Sequence, residues 1–452
     1  MTQEETLDVL KMGHNVFLTG PAGSGKTYVL NSYIAYLKKN RIPVAVTAST
    51  GIAATHMNGR TIHSWSGVGK KKTLENKDFY KIINSQNIQA RVLKAKVLII
   101  DEVSMLEARV IDLVEKVCRS IRKNESAFGG LQVVLSGDLF QLPPVYKKGE
   151  PKPEFIFASN AWHRARFTVC YLEKQYRQED LRFLAILNSI REDAVNKETF
   201  SHLMERYQKN IEGILKPTKL YTHNADVDAI NAFELAQIDE PPNFYKMTSW
   251  GESDLVKILK DDCLAPETLE VKKGALVMFV KNNFDRGYVN GTLGMVIDFD
   301  KDSNYPIVKT RNGNIIASPT SWEFEEDDIV LAGISQIPLR LAWAITVHKS
   351  QGMTLDYAEI DLSKAFAEGM GYVALSRVRS LSGIKLMGLN EMSLKISSEI
   401  KEQDEGLKSL SKEAREEINS IEPSKKEDIK NNLIKIWAEA ENEDDDDFEI
   451  PF

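Results

Sequence analysis

Hydrophobic positions in the first third of the chain alternate between short apolar runs and helical spacing. The apolar runs lie at residues 16–18, 44–46, 97–100 and 132–135, each followed by polar or small residues. After the first run, apolar residues recur every three to four positions, at Val29, Leu30, Tyr33, Ile34 and Leu37. That spacing is typical of a helix. The alternation predicts an α/β fold with a parallel sheet and functional loops at the strand ends.

The hydrophobic pattern changes several times further along the chain. Residues 70–89 are polar and lack apolar periodicity, which favours a surface insertion. Short β-type runs replace the alternation between residues 269 and 341, with the hairpin dipeptide Asn-Gly at 290–291 and at 312–313. Beyond residue 398 the chain is rich in Lys and Glu, which favours loose helices and disorder. The predicted domains are residues 1–171, residues 172–268 with 342–397, residues 269–341 and residues 398–452.

Composition is that of a globular protein, and 452 residues suffice for two or three domains. No apolar run is long enough for a membrane span, and the acidic start resembles neither a secretory nor a transit signal. Three separated cysteines fit reduced thiols, so we expect a cytoplasmic protein. The net charge is −7, but eight acidic and no basic residues follow from Trp437 to the end. The rest of the chain carries +1, so charge neither supports nor excludes nucleic acid as a partner.

A glycine-rich turn follows the first predicted strand and opens the first predicted helix. Its residues are Gly20, Pro21, Ala22, Gly23, Ser24, Gly25, Lys26 and Thr27. Glycines let backbone N–H groups converge on phosphate oxygens, while the lysine reaches the β and γ phosphates and the threonine binds Mg²⁺. The alternative is a chance match in a glycine-rich turn. The placement between strand and helix favours a site for ATP and Mg²⁺.

Two further predicted strands end in residues suited to phosphate hydrolysis. Asp101 can hold the metal and Glu102 can polarise the attacking water, although an acid pair after a strand is often an ordinary exposed turn. Gln141 can sense the γ-phosphate, although alone it also fits a polar turn. Arg177 and Arg377 can stabilise charge on the transferred phosphoryl group. An isolated arginine more often forms a surface ion pair.

Three segments carry candidate contacts to nucleic acid. Small hydroxyl groups at strand ends suit phosphates, and His and Trp rings offer faces for base stacking. The candidates are Thr50, Gly51, His63, Trp65, His348, Lys349 and Ser350. For Trp65 the alternative is a core aromatic.

The order of these motifs resembles the Pif family of superfamily-one helicases, which includes RecD-like motors. The matching segments are residues 20–27, 47–54, 101–105, 137–145, 172–178, 347–354 and 372–379, with a family-type signature over residues 102–119. The resemblance implies two RecA-like parallel-sheet P-loop domains with ATP between them and DNA across the top. It implies a small strand-splitting element at 70–89 and an SH3-like β-barrel at 269–341. It also implies unwinding of duplex, forked or structured DNA in the five-prime to three-prime direction, with Gln3 reading adenine.

The last ten residues, 443–452, resemble the acidic, Pro-Phe-terminated tip of bacterial single-strand-binding proteins. Such a tip could compete with DNA or recruit proteins that recognise similar tips, whereas the alternative is a solubilising tail. Two other functions remain open, a regulatory ATP switch and a helicase-like subunit of a nuclease complex. We expect a monomer.

Overall fold

The structure is a computed structural model. It describes residues 1–446 except 58, 70–72, 145, 147–148, 179, 212–216, 284, 312 and 327–328. The helices are α1 (Gln3–Lys11), α2 (Lys26–Lys39), α3 (Gly51–His56), α4 (Ile62–Ser66), α5 (Asn76–Ile83), α6 (Gln86–Lys94), α7 (Ala108–Arg122), α8 (Asn160–Ala165), α9 (Leu181–Arg191), α10 (Lys197–Met204), α11 (Asn224–Ala236), α12 (Ser253–Asp262), α13 (Met370–Ser376), α14 (Ser398–Ser420) and α15 (Pro423–Asp446).

The strands in the first half of the chain are β1 (Val16–Thr19), β2 (Val44–Ala48), β3 (Arg60–Thr61), β4 (Val97–Asp101), β5 (Gln132–Ser136), β6 (Thr168–Tyr171), β7 (Thr218–Tyr221), β8 (Asn243–Lys246) and β9 (Thr248–Gly251). Those in the second half are β10 (Thr268–Val271), β11 (Leu276–Phe279), β12 (Leu293–Phe299), β13 (Pro306–Thr310), β14 (Gly313–Ile316), β15 (Thr320–Glu326), β16 (Ile329–Gln336), β17 (Leu339–Leu341), β18 (Ala344–Thr346), β19 (Ala358–Leu362) and β20 (Ile384–Leu389).

The chain forms two compact units. The first comprises Met1–Thr50, Met57–Tyr176 and Ser398–Phe452. Its six-stranded sheet has the order β3-β2-β4-β5-β1-β6, and every pairing is parallel. All residues of β1, β4 and β5 are buried, which explains why these strands read as continuous apolar runs. The four strands expected from the sequence, and the helix after the first of them, are confirmed.

Residues 70–89 differ from the expected stretch without periodicity. From Asn76 they form α5 and the first part of α6, both of which pack on α7. Ile82 and Val92 are buried, and the Lys116 ammonium of α7 lies 4.4 Å from the centre of the Phe79 ring. Two short helices offer too few buried positions for the period to be recognised in the sequence. Residues 70–72 lie outside the described part of the chain.

The C-terminal region corrects a second expectation, that of loose helices and disorder from residue 398. Helices α14 and α15 belong to the first unit, and α14 packs along β6. Because β6 is an edge strand, α14 covers backbone groups that would otherwise face solvent. Ile400, Leu407 and Ile418 of α14 are buried. Residues 447–452, which include most of the acidic tip, lie outside the described residues.

The second unit comprises Gly51–His56 and Arg177–Ser397. Its parallel sheet has the order β18-β7-β19-β20. Antiparallel sheets of order β14-β13-β12-β11-β17, β15-β16-β9 and β10-β8 occupy the intervening sequence. A β13–β14 hairpin lies at the second predicted Asn-Gly position, where Thr310 pairs with Gly313 (φ 127°); residue 312 lies outside the described residues. Antiparallel pairing already includes β8 and β9, which precede the expected start at residue 269. Within the described residues, no helix is long and apolar enough to cross a membrane.

Candidate nucleotide and nucleic-acid sites

The phosphate loop connects the end of β1 to the start of α2. Gly20 has φ 141°, Gly23 has φ 81° and Gly25 has φ 89°, all values that side chains disfavour. A Cβ on Gly20 would also lie 2.3 Å from the Leu172 carbonyl oxygen. Since Gly25 offers no side chain to cap α2, the first N–H groups of the helix face the loop without a capping side chain. This backbone suits an anion such as a phosphate chain.

Lys26 and Ser24 provide the polar side chains of this loop. The Lys26 ammonium donates to the carbonyl oxygens of Gly20 at 2.8 Å and Pro21 at 3.1 Å. The Ser24 hydroxyl is buried and has no hydrogen-bond partner among the described residues. Thr27, in the first turn of α2, is exposed. Phosphate oxygens would replace the two carbonyl acceptors of Lys26, so the loop fits a nucleotide.

Asp101 ends β4 at the same sheet edge as the phosphate loop, because all six strands are parallel. Its side chain is only 8% exposed. Burial raises the pKa of the Asp101 carboxyl, while Ser136 and the Lys26 charge act in the opposite direction. A divalent cation would stabilise such a buried carboxylate, so Asp101 and the exposed Thr27 hydroxyl suit Mg²⁺.

Glu102 follows with a left-handed backbone, at φ 53° and ψ 44°. This conformation costs a non-glycine residue about 1–2 kcal/mol and is common at functional sites. The end of β2 supports it, since the Ser49 hydroxyl donates to the Glu102 carbonyl oxygen at 2.7 Å and the Ser49 N–H donates to the Asp101 carbonyl oxygen at 3.0 Å. Sequence reasoning assigned only Thr50 and Gly51 of this segment to DNA and missed the contact of Ser49 with Glu102.

Gln141 lies in the loop after β5 and is 6% exposed. The Gly137 N–H of this loop donates to the Leu18 carbonyl oxygen of β1 at 3.1 Å. The Gln141 amide donates to the fully buried Asp138 carboxylate at 3.5 Å. The loop is therefore fixed to the strand that precedes the phosphate loop.

Gln3 also contacts the phosphate loop. It begins α1, and its Nε2 donates to the Ser24 carbonyl oxygen at 3.2 Å. A Cβ on Gly25 would lie 2.0 Å from the same Nε2 atom. The Thr2 hydroxyl and the Glu5 carboxylate form a reciprocal capping box that fixes this end of α1. The first turn of the chain is thus positioned beside the loop.

Arg177 and Arg377 come together within the second unit. The Arg177 Nη1 donates to the Ser376 carbonyl oxygen at 3.1 Å, adjacent in sequence to Arg377. Arg377 is 1% exposed, and its guanidinium donates to the Val373 carbonyl oxygen at 2.9 Å and to the Ser376 hydroxyl at 2.9 Å. Gln178, which sequence reasoning did not single out, donates to the same Ser376 carbonyl oxygen at 3.0 Å. These bonds tie residues 177–178 to the end of α13.

The candidate DNA contacts of the first two segments differ in accessibility. Thr50 and Gly51 lie at the carboxyl end of β2, where α3 begins. His63 in α4 hydrogen-bonds the Gly69 carbonyl oxygen through Nδ1 at 2.9 Å and is half-buried. Trp65 is 3% exposed, so a stacking role for its ring is a wrong expectation. Its indole packs in the interior, as hydrophobic burial of a large ring favours.

The segment after β18 is also only partly open. Ser350 is fully buried and its hydroxyl donates to the Val347 carbonyl oxygen at 2.7 Å, which corrects its assignment as a DNA contact. His348 is stacked on Phe366, with ring centres 6.1 Å apart and planes at 16°. Burial lowers the pKa of His348, and the neighbouring His223 lowers it further.

Sequence reasoning missed the aromatic neighbours of His348, which are Phe366 and His223. Phe366 is 54% exposed, and the His223 ring packs on it at a centre-to-centre distance of 5.2 Å. Burial lowers the pKa of Lys349, and the charge of Arg340 lowers it further. An exposed Phe in a loop carries no pattern that distinguishes it from other surface aromatics. Phe366 and His223 are both exposed, whereas His348 is partly buried.

Parallel sheets with a phosphate loop and an acidic pair at one strand edge define a P-loop nucleoside triphosphatase of the RecA-like type. The family model for PIF1-like helicase matches residues 3–206, and that for the DNA helicase Pif1 2B domain matches residues 254–299. The chain is 43% identical to the ATP-dependent DNA helicase Pif1 of a Psychrobacter species, over 93% of this chain and 73% of that protein. This chain belongs to the Pif1 family of helicases.

Solved structures of the family share the fold. Bacteroides sp. Pif1 in complex with ADP-AlF4 matches with a TM-score of 0.76 at 32% identity, covering 90% of this chain and 96% of that one. Bacteroides Pif1 bound to ssDNA matches with a TM-score of 0.64 at 33% identity and the same coverage. Several vertebrate relatives are longer, and the chain spans 60% to 63% of their length.

Proposed function

We propose that this protein is an ATP-dependent DNA helicase that translocates five-prime to three-prime on single-stranded DNA. The observation that carries the proposal is the phosphate loop with Lys26 beside the buried Asp101 and the strained Glu102. The family's Bacteroides members, solved with ADP-AlF4 and with ssDNA, support both ligands. The direction of movement rests on the family resemblance.

Each residue of the nucleotide site has a proposed role. The loop N–H groups and Lys26 bind the phosphates, and Thr27 and Asp101 hold Mg²⁺. When bound, Mg²⁺ neutralises charge on the phosphate oxygens. Glu102 polarises the attacking water and accepts its proton, and Gln141 senses the γ-phosphate.

Arg177 and Arg377 are the proposed donors to the charge that develops on the transferred phosphoryl group. For Arg377 this role requires that the guanidinium exchange acceptors such as the Val373 and Met353 carbonyl oxygens and the Ser376 hydroxyl for phosphate oxygens. Gln3 is the proposed reader of adenine, since its amide already lies against the phosphate loop.

The DNA contacts remain Thr50, Gly51, His63, His348 and Lys349, to which we add Phe366 as a ring open for base stacking. Duplex, forked or structured DNA is the proposed substrate, in replication, repair or recombination. The helices within residues 70–89 are the proposed strand-splitting element, and residues 269–341 are the proposed SH3-like β-barrel. We further propose that the protein is a monomer in the cytoplasm. Protein partners are proposed to recognise its acidic tip.

ATP hydrolysis with and without single-stranded DNA, together with unwinding of duplexes that carry a five-prime or a three-prime tail, tests this function. Strong stimulation and unwinding from the five-prime tail alone are expected. Lys26→Ala abolishes both, while Lys39→Ala, an exposed change at the far end of the same helix, leaves both intact. Hydrolysis without unwinding would favour a subunit that needs a partner. Hydrolysis unaffected by DNA would favour a regulatory switch.

A further inference from the structure

The C-terminal helices hold the helix that carries Gln3. Arg415 of α14 forms an ion pair with Glu5 of α1, with Nε and Oε1 2.9 Å apart. Lys430 of α15 forms a second ion pair with Asp8 of α1, with Nζ and Oδ1 2.8 Å apart. Asn419 adds a hydrogen bond to the same Glu5 oxygen at 3.3 Å. Each C-terminal helix therefore has its own polar contact to α1.

Apolar contacts accompany these ion pairs. Val9 and Leu10 of α1 belong to the hydrophobic core of the first unit, to which α14 contributes Ile418. A Cβ on Gly13, just after α1, would lie 2.7 Å from a methyl carbon of Leu433 in α15. The partly buried residues packed against this core include Ile421, Ile429, Ile434 and Trp437. The two C-terminal helices thus supply part of the packing surface on which α1 rests.

Helix α14 is also hydrogen-bonded to β6 of the central sheet, so the contacts of α1 with α14 fix α1 relative to that sheet. Ser411 of α14 accepts a hydrogen bond from the Tyr171 N–H of β6 at 3.0 Å, and Asp404 accepts one from the Tyr171 hydroxyl at 2.9 Å. The Met1 ammonium donates to the Tyr171 carbonyl oxygen at 2.7 Å. Edge strand, C-terminal helix and N-terminus therefore form one connected set of contacts.

Glu5 links this set to the nucleotide site. Burial raises the pKa of the Glu5 carboxyl, but hydrogen bonds from the Thr2 N–H, Arg415 and Asn419 outweigh it and lower the pKa to about 2. Glu5 is thus ionised at neutral pH, where it both caps the start of α1 and pairs with Arg415. Gln3, two residues earlier, donates to the carbonyl oxygen of Ser24 in the phosphate loop.

We propose that α14 and α15 are a positioning element of the nucleotide site, which holds α1 so that Gln3 stays at the phosphate loop and favours adenine nucleotides. Arg415 and Lys430 are positioning residues, because they act through α1 and touch no nucleotide. The selectivity rests on the proposed role of Gln3, whereas the attachment of α1 rests on the contacts alone. In this protein the C-terminal helices thereby influence which nucleotide binds.

Equilibrium binding of fluorescent ATP and GTP analogues labelled on the ribose, by the full-length protein with Mg²⁺, tests the proposal. The double variant Arg415→Ala/Lys430→Ala removes both ion pairs. Its Kd for ATP should rise about fivefold, the effect of two partly exposed pairs. The Kd for GTP should change less than twofold, so the preference for ATP falls. With lysine instead of alanine at position 415 (Arg415→Lys), most of the preference for ATP should be retained. Lys412→Ala, an exposed change on α14, should not alter the preference.

A double-mutant cycle with Gln3→Ala separates positioning from general destabilisation. Gln3→Ala alone should reproduce the loss of ATP preference, and adding the tail substitutions should weaken ATP binding no further. Equal weakening of ATP and GTP, additive effects with Gln3→Ala, or unchanged binding in a folded variant would each overturn the inference. Because binding is measured without turnover, wild-type protein that fails to hydrolyse ATP with DNA would refute only the proposed function.

Discussion

Asp404 is the buried acceptor that attaches α14 to β6, and its removal should detach this helix locally. Asp404 is 6% exposed and Tyr171 is 2% exposed. The Tyr171 hydroxyl donates to both carboxylate oxygens of Asp404, at 2.9 and 3.2 Å. Lys408 pairs with the same carboxylate at 2.8 Å, but its side chain is 45% exposed. Asp404→Ala removes a charged acceptor from a dry interface between a helix and an edge strand.

The magnitude follows from these contacts. A hydrogen bond to a charged group contributes about 1.5–3 kcal/mol, and the solvent-screened pair with Lys408 adds no more than about 0.5 kcal/mol. We therefore expect the free energy of local opening of α14 to fall by about 2 kcal/mol. That corresponds to about a thirtyfold loss of amide protection. Asp404→Asn retains an acceptor for the Tyr171 hydroxyl, so it should lose less amide protection than Asp404→Ala.

Native-state hydrogen exchange, followed by mass spectrometry of peptides, is the appropriate assay because a chain with two units need not unfold in one step. Peptides from α14 and β6 should lose protection, while those from α9 and α13 in the second unit should not. Glu405→Ala, an exposed change one residue further along, is the matched control. Protection of α14 within threefold of wild type would refute the reasoning. Equal loss in both units would indicate global unfolding instead.

Three further outcomes are expected. Lys26→Ala should lower the rate of ATP hydrolysis by about 10²-fold or more, and a variant with normal turnover would exclude this site. Arg377→Ala should retain ATP binding but lose most of the rate, whereas equal losses of affinity and rate would mark a uniform phosphate ligand. For His348, burial lowers the pKa below 6.5, so the folded state binds fewer protons there than the unfolded chain. Stability should therefore fall as the pH drops below about 6.5, and His348→Gln should reduce that fall in a urea titration.

Local patterns in the sequence predicted much of the first sheet and its loops. The apolar runs became β1, β2, β4 and β5, and the residues predicted to bind phosphate and metal follow β1 and β4 directly. A strand, its loop and the next helix are adjacent in the chain, so their spacing records how the backbone must turn. The positive φ angles of Gly20 and Gly25 agree with the glycine-rich turn in the sequence, because glycine adopts them at least cost.

Tertiary structure decided the features that depend on distant partners. Trp65 and Ser350 look like contact residues in the sequence, and only the surrounding packing shows that both are buried. The C-terminal helices read as a charged tail, because most of their residues are exposed and the buried ones are widely spaced. Their attachment depends on pairs such as Glu5 with Arg415, 410 residues apart. A local pattern determines which backbone conformation forms, whereas the partner of a buried or paired side chain is fixed only when the whole chain folds around it.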